Sequence, residues 1–335
     1  MAKIDQHALT EIAREAFVRA GAHEGMASAA ARALVAADMQ DLASHGVSRV
    51  PFYCGMLKNG RADGKAHPRI ASDHKAVCVI DNGGGLGYEA CALAAGEAVR
   101  RAREFGIGYA GITNGHHIGA LALALEPMAA AGQIGIALSN SPAAMPVWGG
   151  QKATLGTNPV AAIFPRAGAD PVVVDLSTTT VTRGRIMLAA QKGERIPEGW
   201  ALDRHGKPTT DPQEVLAAGT LFPVGGSKGA MLALVFELLC TALTGAAISR
   251  DNDSFWVEEG NRPSLGQGFF AIDPGATAGR AIYNERLEAL IAMMLAEDGV
   301  RLPGGRRFAA LRLAQAEGIE VPDALLAKLH ALAAA

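Results

Sequence analysis

Residues 76–87, Ala76-Val77-Cys78-Val79-Ile80-Asp81-Asn82-Gly83-Gly84-Gly85-Leu86-Gly87, decide which fold the chain can have. The first six are suited to a strand, glycines follow at once, and residues 88–105 carry apolar positions at helical spacing. Strand, glycine loop and helix is the arrangement that receives a dinucleotide in a Rossmann domain. Here the spacing is GxGxG, not GxGxxG. No acidic residue ends a second strand about 20 residues on, where a ribose hydroxyl would need one. The loop is therefore an ordinary glycine-rich turn from strand to helix, and a Rossmann domain is set aside.

Short β-type runs follow at residues 108–113, 134–139, 160–164 and 172–176, separated by Gly, Pro or Asn. A single helix, over residues 120–131, falls among them. Strands this close, without a helix between each pair, predict a mixed and largely antiparallel sheet. Upstream, the spacing predicts helices over 5–20, 26–43 and 52–59. Downstream it predicts a short helix over 185–193, a loop-rich stretch over 194–224 and a long apolar helix over 230–247. An irregular stretch over 249–268, a strand over 269–272 and two C-terminal helices complete the chain.

The helix over 26–43 runs into Ser44-His45-Gly46-Val47-Ser48-Arg49. An imidazole moves protons near neutral pH, and a guanidinium holds a planar carboxylate with two parallel hydrogen bonds. Together they suit an α-keto or α-hydroxy acid; a helix C-terminus closed by glycine would look the same. Asn114-Gly115-His116-His117-Ile118-Gly119 sits between a strand and a helix. Adjacent histidines diverge and no further ligands follow at a recognisable spacing, so no metal is expected there. The loop suits an anion or a catalytic imidazole at a helix start. Gly225-Gly226-Ser227-Lys228-Gly229 is literally GxSxG, but a hydrolase elbow needs a later acid and histidine, and the sole histidine beyond Ser227 is His330. A glycine-lined helix N-terminus with a lysine for phosphate or carboxylate is favoured over a serine hydrolase. Pro303-Gly304-Gly305-Arg306-Arg307 is a second anion-friendly loop.

With 335 residues the chain is long enough for one large domain or two ordinary ones. A net charge of -2 without a basic run excludes a nucleic-acid footprint. Forty glycines beside 5% aromatics suggest close backbone packing and shaped loops. The four cysteines show neither CxxC nor ligand-like spacing and are expected to be reduced and mostly buried. Residues 230–247 are apolar enough to test as a membrane span, but Glu237 at the centre favours a core or subunit-interface helix. The polar start lacks the apolar core of a signal peptide, so a cytoplasmic protein is expected.

Taken in order, SHGVSR, NGHHIG, LGTNPVA, VVDLSTTTVTRGRIMLAA, GERIPEGWALDRHGKPTTDP, GGSKGAMLALVFELL and LPGGRR resemble one family over about residues 8–325. It is the malate/L-lactate dehydrogenase family of NAD(P)-dependent oxidoreductases, which lack the Rossmann fold. Ureidoglycolate, sulfolactate and diketogulonate enzymes and the Δ1-piperideine-2-carboxylate/Δ1-pyrroline-2-carboxylate reductases are among its members. The resemblance implies an α/β fold: a mixed, mainly antiparallel sheet for the cofactor, with a helical domain built from both chain ends. Residues 71–225 would form the sheet-based domain, and residues 1–70 and 226–335 the helical, substrate and dimerisation region. It implies a homodimer using NAD(H) or NADP(H) on a small carboxylate substrate, with no membrane or nucleic-acid partner.

By the same resemblance, Ser44 and His45 match a catalytic pair with His45 as proton donor, while other members give that role to the histidine matching His117. Arg49 and Thr157 match substrate-carboxylate positions, with Tyr53 close by. His117, Ile118, Gly119, Ala120, Leu121, Asp175, Leu176, Ser177, Lys228, Gly304, Gly305, Arg306 and Arg307 match cofactor contacts. Arg185, within Arg183-Gly184-Arg185, stands where the imine reductases carry a relay aspartate. It sides with the branch that reduces 2-oxo acids, leaving cyclic imine reduction as the alternative.

Overall fold

The computed structural model describes residues 2–255, 257 and 259–334. Its N-terminal apolar periodicity forms α1 (Gln6–Arg19) and α2 (Glu24–Met39). Asp5 caps the first by accepting the Ala8 N–H, and the His23 imidazole caps the second by accepting the Met26 N–H. The second helix stops at Met39, short of residue 43, because Asp41 takes a left-handed φ of 58°. Single 3₁₀ turns at Ala43–His45 and Val47–Arg49 follow. Next comes α3 (Val50–Lys58), with Pro51 in its first turn, where a missing N–H costs nothing.

The strands β1 (Arg69–His74), β2 (Val77–Asp81), β3 (Ile107–Gly115), β4 (Ile134–Ser139), β5 (Val160–Arg166), β6 (Ala169–Leu176) and β7 (Leu265–Ile272) share one sheet. Its order is β1-β2-β3-β7-β4-β5-β6. Among the described residues β2–β3 is the parallel pair, and its neighbours pair antiparallel. The crossover joining that pair is α4 (Tyr88–Phe105). Alanines 94, 95, 98 and 102 are fully buried and let this helix lie close to the sheet against Ile80, Ile112 and Phe269. Because β7 lies between β3 and β4, the sheet draws on residues from beyond position 226 as well as from 71–225.

The helix predicted over 120–131 is instead a 3₁₀ turn, Leu121–Leu125, followed by the short α5 (Glu126–Ala130). Pro127 has no N–H to extend a helix through this point and sits in the first turn of α5. Residues 194–224 are less irregular than expected. Two-residue strands at 201–202, 208–209 and 220–221 form a small sheet beside α6 (Arg183–Lys192) and α7 (Pro212–Ala218). These enclose a separate small core containing Ile186, Ile196, Val215 and Leu221.

The apolar run continues as α8 (Ser227–Cys240), ending before residue 247. Three C-terminal helices follow in place of two: α9 (Arg280–Leu295), α10 (Gly305–Glu317) and α11 (Asp323–Ala334). Pro303-Gly304 and Gly318 through Pro322 break the last three apart. A short strand, Ala2–Ile4, pairs with Ile319–Val321, and Leu329 of α11 shares a core with Leu9, Phe17 and Leu34. Both chain ends thus build the helical layer. No helix among the described residues is long and apolar enough to cross a membrane.

Candidate active site

The hexapeptide from Ser44 to Arg49 is held by an aspartate nine residues upstream of Val47. Asp38 Oδ2 accepts the Val47 N–H at 2.7 Å. Gly46 has an extended backbone open to any residue, but a Cβ there would lie 1.9 Å from Asp38 Oδ1. Glycine is required for room, not for conformation. Within the turn, Ser44 Oγ lies 2.9 Å from His45 Nδ1, and Arg49 Nε–H donates to the Ser44 carbonyl at 2.7 Å. Serine, imidazole and guanidinium are thus fixed to one another by local bonds. Burial of Asp38 raises its pKa from 3.8 to about 6, with the Val47 bond opposing the shift.

Opposite this turn stands His117, its ring stacked on that of His45 with centroids 5.9 Å apart. Tyr53 reaches His117 from α3: its hydroxyl is 2.5 Å from His117 Nδ1 and 3.0 Å from the Tyr88 hydroxyl. The Gly119 N–H points at the same Nδ1, at 3.4 Å. A backbone N–H can only donate, so Nδ1 is an acceptor and the neutral ring carries its proton on Nε2. The chain of donors then runs from Tyr88 to Tyr53 to His117. Burial holds the His117 pKa well below its ordinary value, and the neighbouring His45 imidazole and Arg49 guanidinium push it the same way. Burial also raises Tyr53 to about 12, so it stays an O–H donor. His116, by contrast, is fully buried against Tyr53 and Phe255, and burial takes its pKa down to about 4.

The third part of the site is an ion pair. Arg307, in the first turn of α10, donates both terminal nitrogens to Asp175 Oδ2 at 3.1 and 3.2 Å. The Ala122 N–H donates to the same oxygen at 3.3 Å. One carboxylate therefore joins the end of β6, the segment after His117 and the Gly304–Arg307 loop. Both Asp175 and Arg307 act on His45: burial lowers its pKa most, Arg49 and Arg307 lower it further, and Asp175 raises it.

The Gly304 loop fits a phosphate-bearing cofactor. Gly304 has φ +88°, and a Cβ there would sit 2.9 Å from Val173 Cβ, so only glycine lets the loop rest on β6. Beside it, Arg301, Arg306 and Arg307 line a cleft of about 360 Å³. Arginine side chains and backbone N–H groups at a helix start are the donors that phosphate oxygens take. Elsewhere, Thr157 is braced by Ser141, whose Oγ accepts its N–H at 3.0 Å, and its carbonyl accepts from Thr178. Asn158, with φ 28°, donates to the buried Glu237 of α8 at 2.8 Å.

The structure brings together Ser44, His45, Arg49, Tyr53, His117, Asp175 and Arg307. Arg185 and Lys228 are exposed in the first turns of α6 and α8, and among the described residues no contact joins them to that group. Ser227 bonds no histidine among the described residues, so it lacks the partner of a hydrolase nucleophile. Tyr88, Asp38 and Phe255 escaped the sequence reading. Phe255 packs edge-on against His117 with centroids 5.3 Å apart. None of the three carries a local pattern that marks it; each acts through a contact made by folding.

Comparison with known proteins shows the family. A family model described as malate/L-lactate dehydrogenase matches residues 4–330. The (2R)-3-sulfolactate dehydrogenase (NADP(+)) of Chromohalobacter salexigens is 44% identical over 309 residues, covering 92% of this chain and 91% of the relative. A Δ1-pyrroline-2-carboxylate/Δ1-piperideine-2-carboxylate reductase of Pseudomonas putida is 35% identical over 324 residues, covering 97% and 95%. The crystal structure of Δ1-piperideine-2-carboxylate reductase from Pseudomonas syringae pv. tomato superposes with a TM-score of 0.94 at 32% identity. That match covers 99% of this chain and 100% of the other.

Proposed function

The chain belongs to the malate/L-lactate dehydrogenase family, and from that membership we propose how its site works and which substrate it takes. It is an NAD(P)-dependent oxidoreductase that transfers a hydride between nicotinamide and the α-carbon of a small 2-oxo or 2-hydroxy acid. Within that activity, our reading is a dehydrogenase of a dianionic 2-hydroxy acid of the sulfolactate class, working with NADP(H). The observation that carries it is the 44% identity to a (2R)-3-sulfolactate dehydrogenase (NADP(+)), and the stacking of His45 on His117 beside Arg49 supports the hydroxy-acid chemistry.

Bound nicotinamide supplies the hydride; the chain's own residues position the acid and supply the proton. Arg49 and Thr157 take the substrate carboxylate, which fixes the α-carbon. His45, with Ser44 on its Nδ1, gives the proton to the carbonyl oxygen. His117 acts as a neutral donor through Nε2, a role supported by the Tyr53 and Gly119 bonds to its other nitrogen. The segment His117–Leu121, residues Asp175–Ser177, Lys228 and the loop Gly304–Arg307 hold the cofactor, with the arginine-lined cleft suited to a 2′-phosphate. Arg185 is proposed to meet the second anionic group of the substrate. Cyclic imine reduction is the second reading, supported by the name of the 35% identical relative.

We further propose a cytoplasmic homodimer. Large apolar side chains stand about half exposed along α8, among them Met231, Leu232, Val235 and Leu238, and a second subunit would cover them. A panel of sulfopyruvate, pyruvate, oxaloacetate and Δ1-piperideine-2-carboxylate, each with NADPH and with NADH, tests the substrate. The highest kcat/KM is expected for sulfopyruvate with NADPH. A preference for the cyclic imine, or for NADH, would refute the assignment.

A further inference from the structure

The glycine loop at 83–85 has no part in the site above, yet it shapes a pocket of metal-ligating side chains beside it. Gly64 lies so close to the α1–α2 turn that a Cβ would meet the Gly21 carbonyl oxygen at 2.0 Å. A Cβ on Gly85 would meet Met26, Ala66 and the Asp63 carbonyl oxygen. His23 N–H donates to the Gly64 carbonyl at 2.8 Å, and Asp63 N–H to that of Gly84 at 2.9 Å. Three backbone segments are thus pressed together, and each presents one ligand. His23 comes from the start of α2, His67 from the 63–68 loop and Glu89 from the first turn of α4.

Their ligand atoms lie within 4.8 Å of one another. His23 Nε2 is 3.3 Å from Glu89 Oε2, and the two imidazoles have centroids 3.9 Å apart. Glu89 Oε2 is shielded from solvent and accepts no hydrogen bond. The nearest donor to that oxygen is His23 Nε2, whose proton is directed to the Ala66 carbonyl, so the carboxylate keeps a coordination position that a cation can take. Room for the carboxylate is kept by Gly25, where a Cβ would lie 2.8 Å from Glu89 Oε1. Two imidazoles and a carboxylate are the ligand set of zinc and its first-row neighbours, not of calcium or magnesium.

We propose that His23, His67 and Glu89 form a binding site for one divalent transition-metal ion of the zinc class, separate from the reaction centre. Before binding, His23 Nε2–H donates to the Ala66 carbonyl at 2.9 Å while Nδ1 accepts from Met26 at 3.4 Å; an ion at Nε2 moves the ring's proton to Nδ1 and replaces both bonds. In exchange the ion ties α2, the 63–68 loop and α4 at one point. Tyr88, the residue before Glu89, bonds the Tyr53 hydroxyl, so the clamp acts on the helix that carries the donor chain to His117.

The test uses full-length protein stripped with a chelator and titrated with Zn²⁺ by calorimetry and by thermal unfolding, and with Co²⁺ by visible absorption. One ion per chain, a Tm rise on the order of a few degrees at saturation, and Co²⁺ d–d bands are expected. His67→Ala, at an exposed position, and the isosteric Glu89→Gln should each weaken Zn²⁺ affinity at least about tenfold. Removing the exposed His330 should leave it unchanged. Equal Tm values for the metal-free variants and the parent confirm intact folds. No binding at sub-millimolar Zn²⁺, or binding undiminished in both His67→Ala and Glu89→Gln, would overturn the proposal.

Discussion

Replacing Tyr53 by Phe removes one oxygen and asks whether His117 needs its tautomer held. Tyr53 is fully buried and Phe fills the same volume, so no cavity opens. The loss is confined to two hydrogen bonds, at 2.5 Å to His117 Nδ1 and 3.0 Å to the Tyr88 hydroxyl. Tyr88 is 6% exposed, so its hydroxyl is left without a partner, at about 1–3 kcal/mol of stability. His117 Nδ1 keeps only the 3.4 Å contact from Gly119, and the tautomer with Nε2 unprotonated becomes accessible. If Nε2–H serves the reaction, losing a bond worth about 1–2 kcal/mol should lower kcat by about five- to thirtyfold. The two effects separate in Tyr53→Phe/Tyr88→Phe, which also removes the stranded hydroxyl. Stability should then partly recover while kcat stays low, a non-additive pair. Urea unfolding and steady-state kinetics with a 2-oxo acid read both. An unchanged kcat in Tyr53→Phe would refute the donor role of His117. A kcat restored in the double variant would refute the tautomer argument in particular.

Arg49→Ala should lose about 2–4 kcal/mol in kcat/KM by removing a charge-assisted carboxylate contact. Cofactor affinity, read by fluorescence titration, should stay nearly unchanged. Asp38→Asn keeps an acceptor for the Val47 N–H but removes a titrating group. Because the folded pKa of about 6 lies above 3.8, the folded chain holds the proton more tightly, and stability falls as pH rises through that window. Urea unfolding across it should show a loss of about 3 kcal/mol in the parent, absent from the variant. Arg307→Ala should move the His45 limb of the pH–rate profile upward, since Arg307 disfavours the imidazolium, and Asp175→Asn should move it downward. Shifts of the same sign in both variants would contradict that electrostatic picture.

The sheet was legible where side-chain pattern alone decides. The helix Tyr88–Phe105 and the strand Ile134–Ser139 match the spacing residue for residue, because their apolar positions are buried on one face. Strand β1 escaped notice since every residue from Arg69 to His74 is exposed, leaving no alternation to see. Helical spacing alone does not show that Pro127, which lacks an N–H, divides residues 120–131 in two. In the site, short motifs pointed to His45, Arg49 and His117 because their chemistry is local. Asp38, Tyr88 and Phe255 carry no such mark, since a buried aspartate, tyrosine or phenylalanine ordinarily belongs to a core. What distinguishes them is the partner each meets after folding.

The glycine loop shows why resemblance to a dinucleotide motif misleads here. In a Rossmann unit the glycines empty the space before a helix N-terminus so that phosphate can enter. The β2–α4–β3 unit has the same parallel crossover, but protein fills that space. A Cβ on Gly87 would strike Ile118 Cγ2 at 2.6 Å and the His116 carbonyl oxygen at 2.9 Å, so its absence admits the His116–Ile118 segment instead. With phosphate excluded from the start of α4, its first turn is free to carry side chains inward, and Tyr88 is the one that reaches Tyr53. The proposed anion site lies elsewhere, at the Gly304–Arg307 loop on the far edge of the sheet, tied back by Asp175 to the segment after His117. Gly87, by admitting that segment, thus lets the helix bearing Tyr88 stand beside Tyr53 and the histidine that Tyr53 holds.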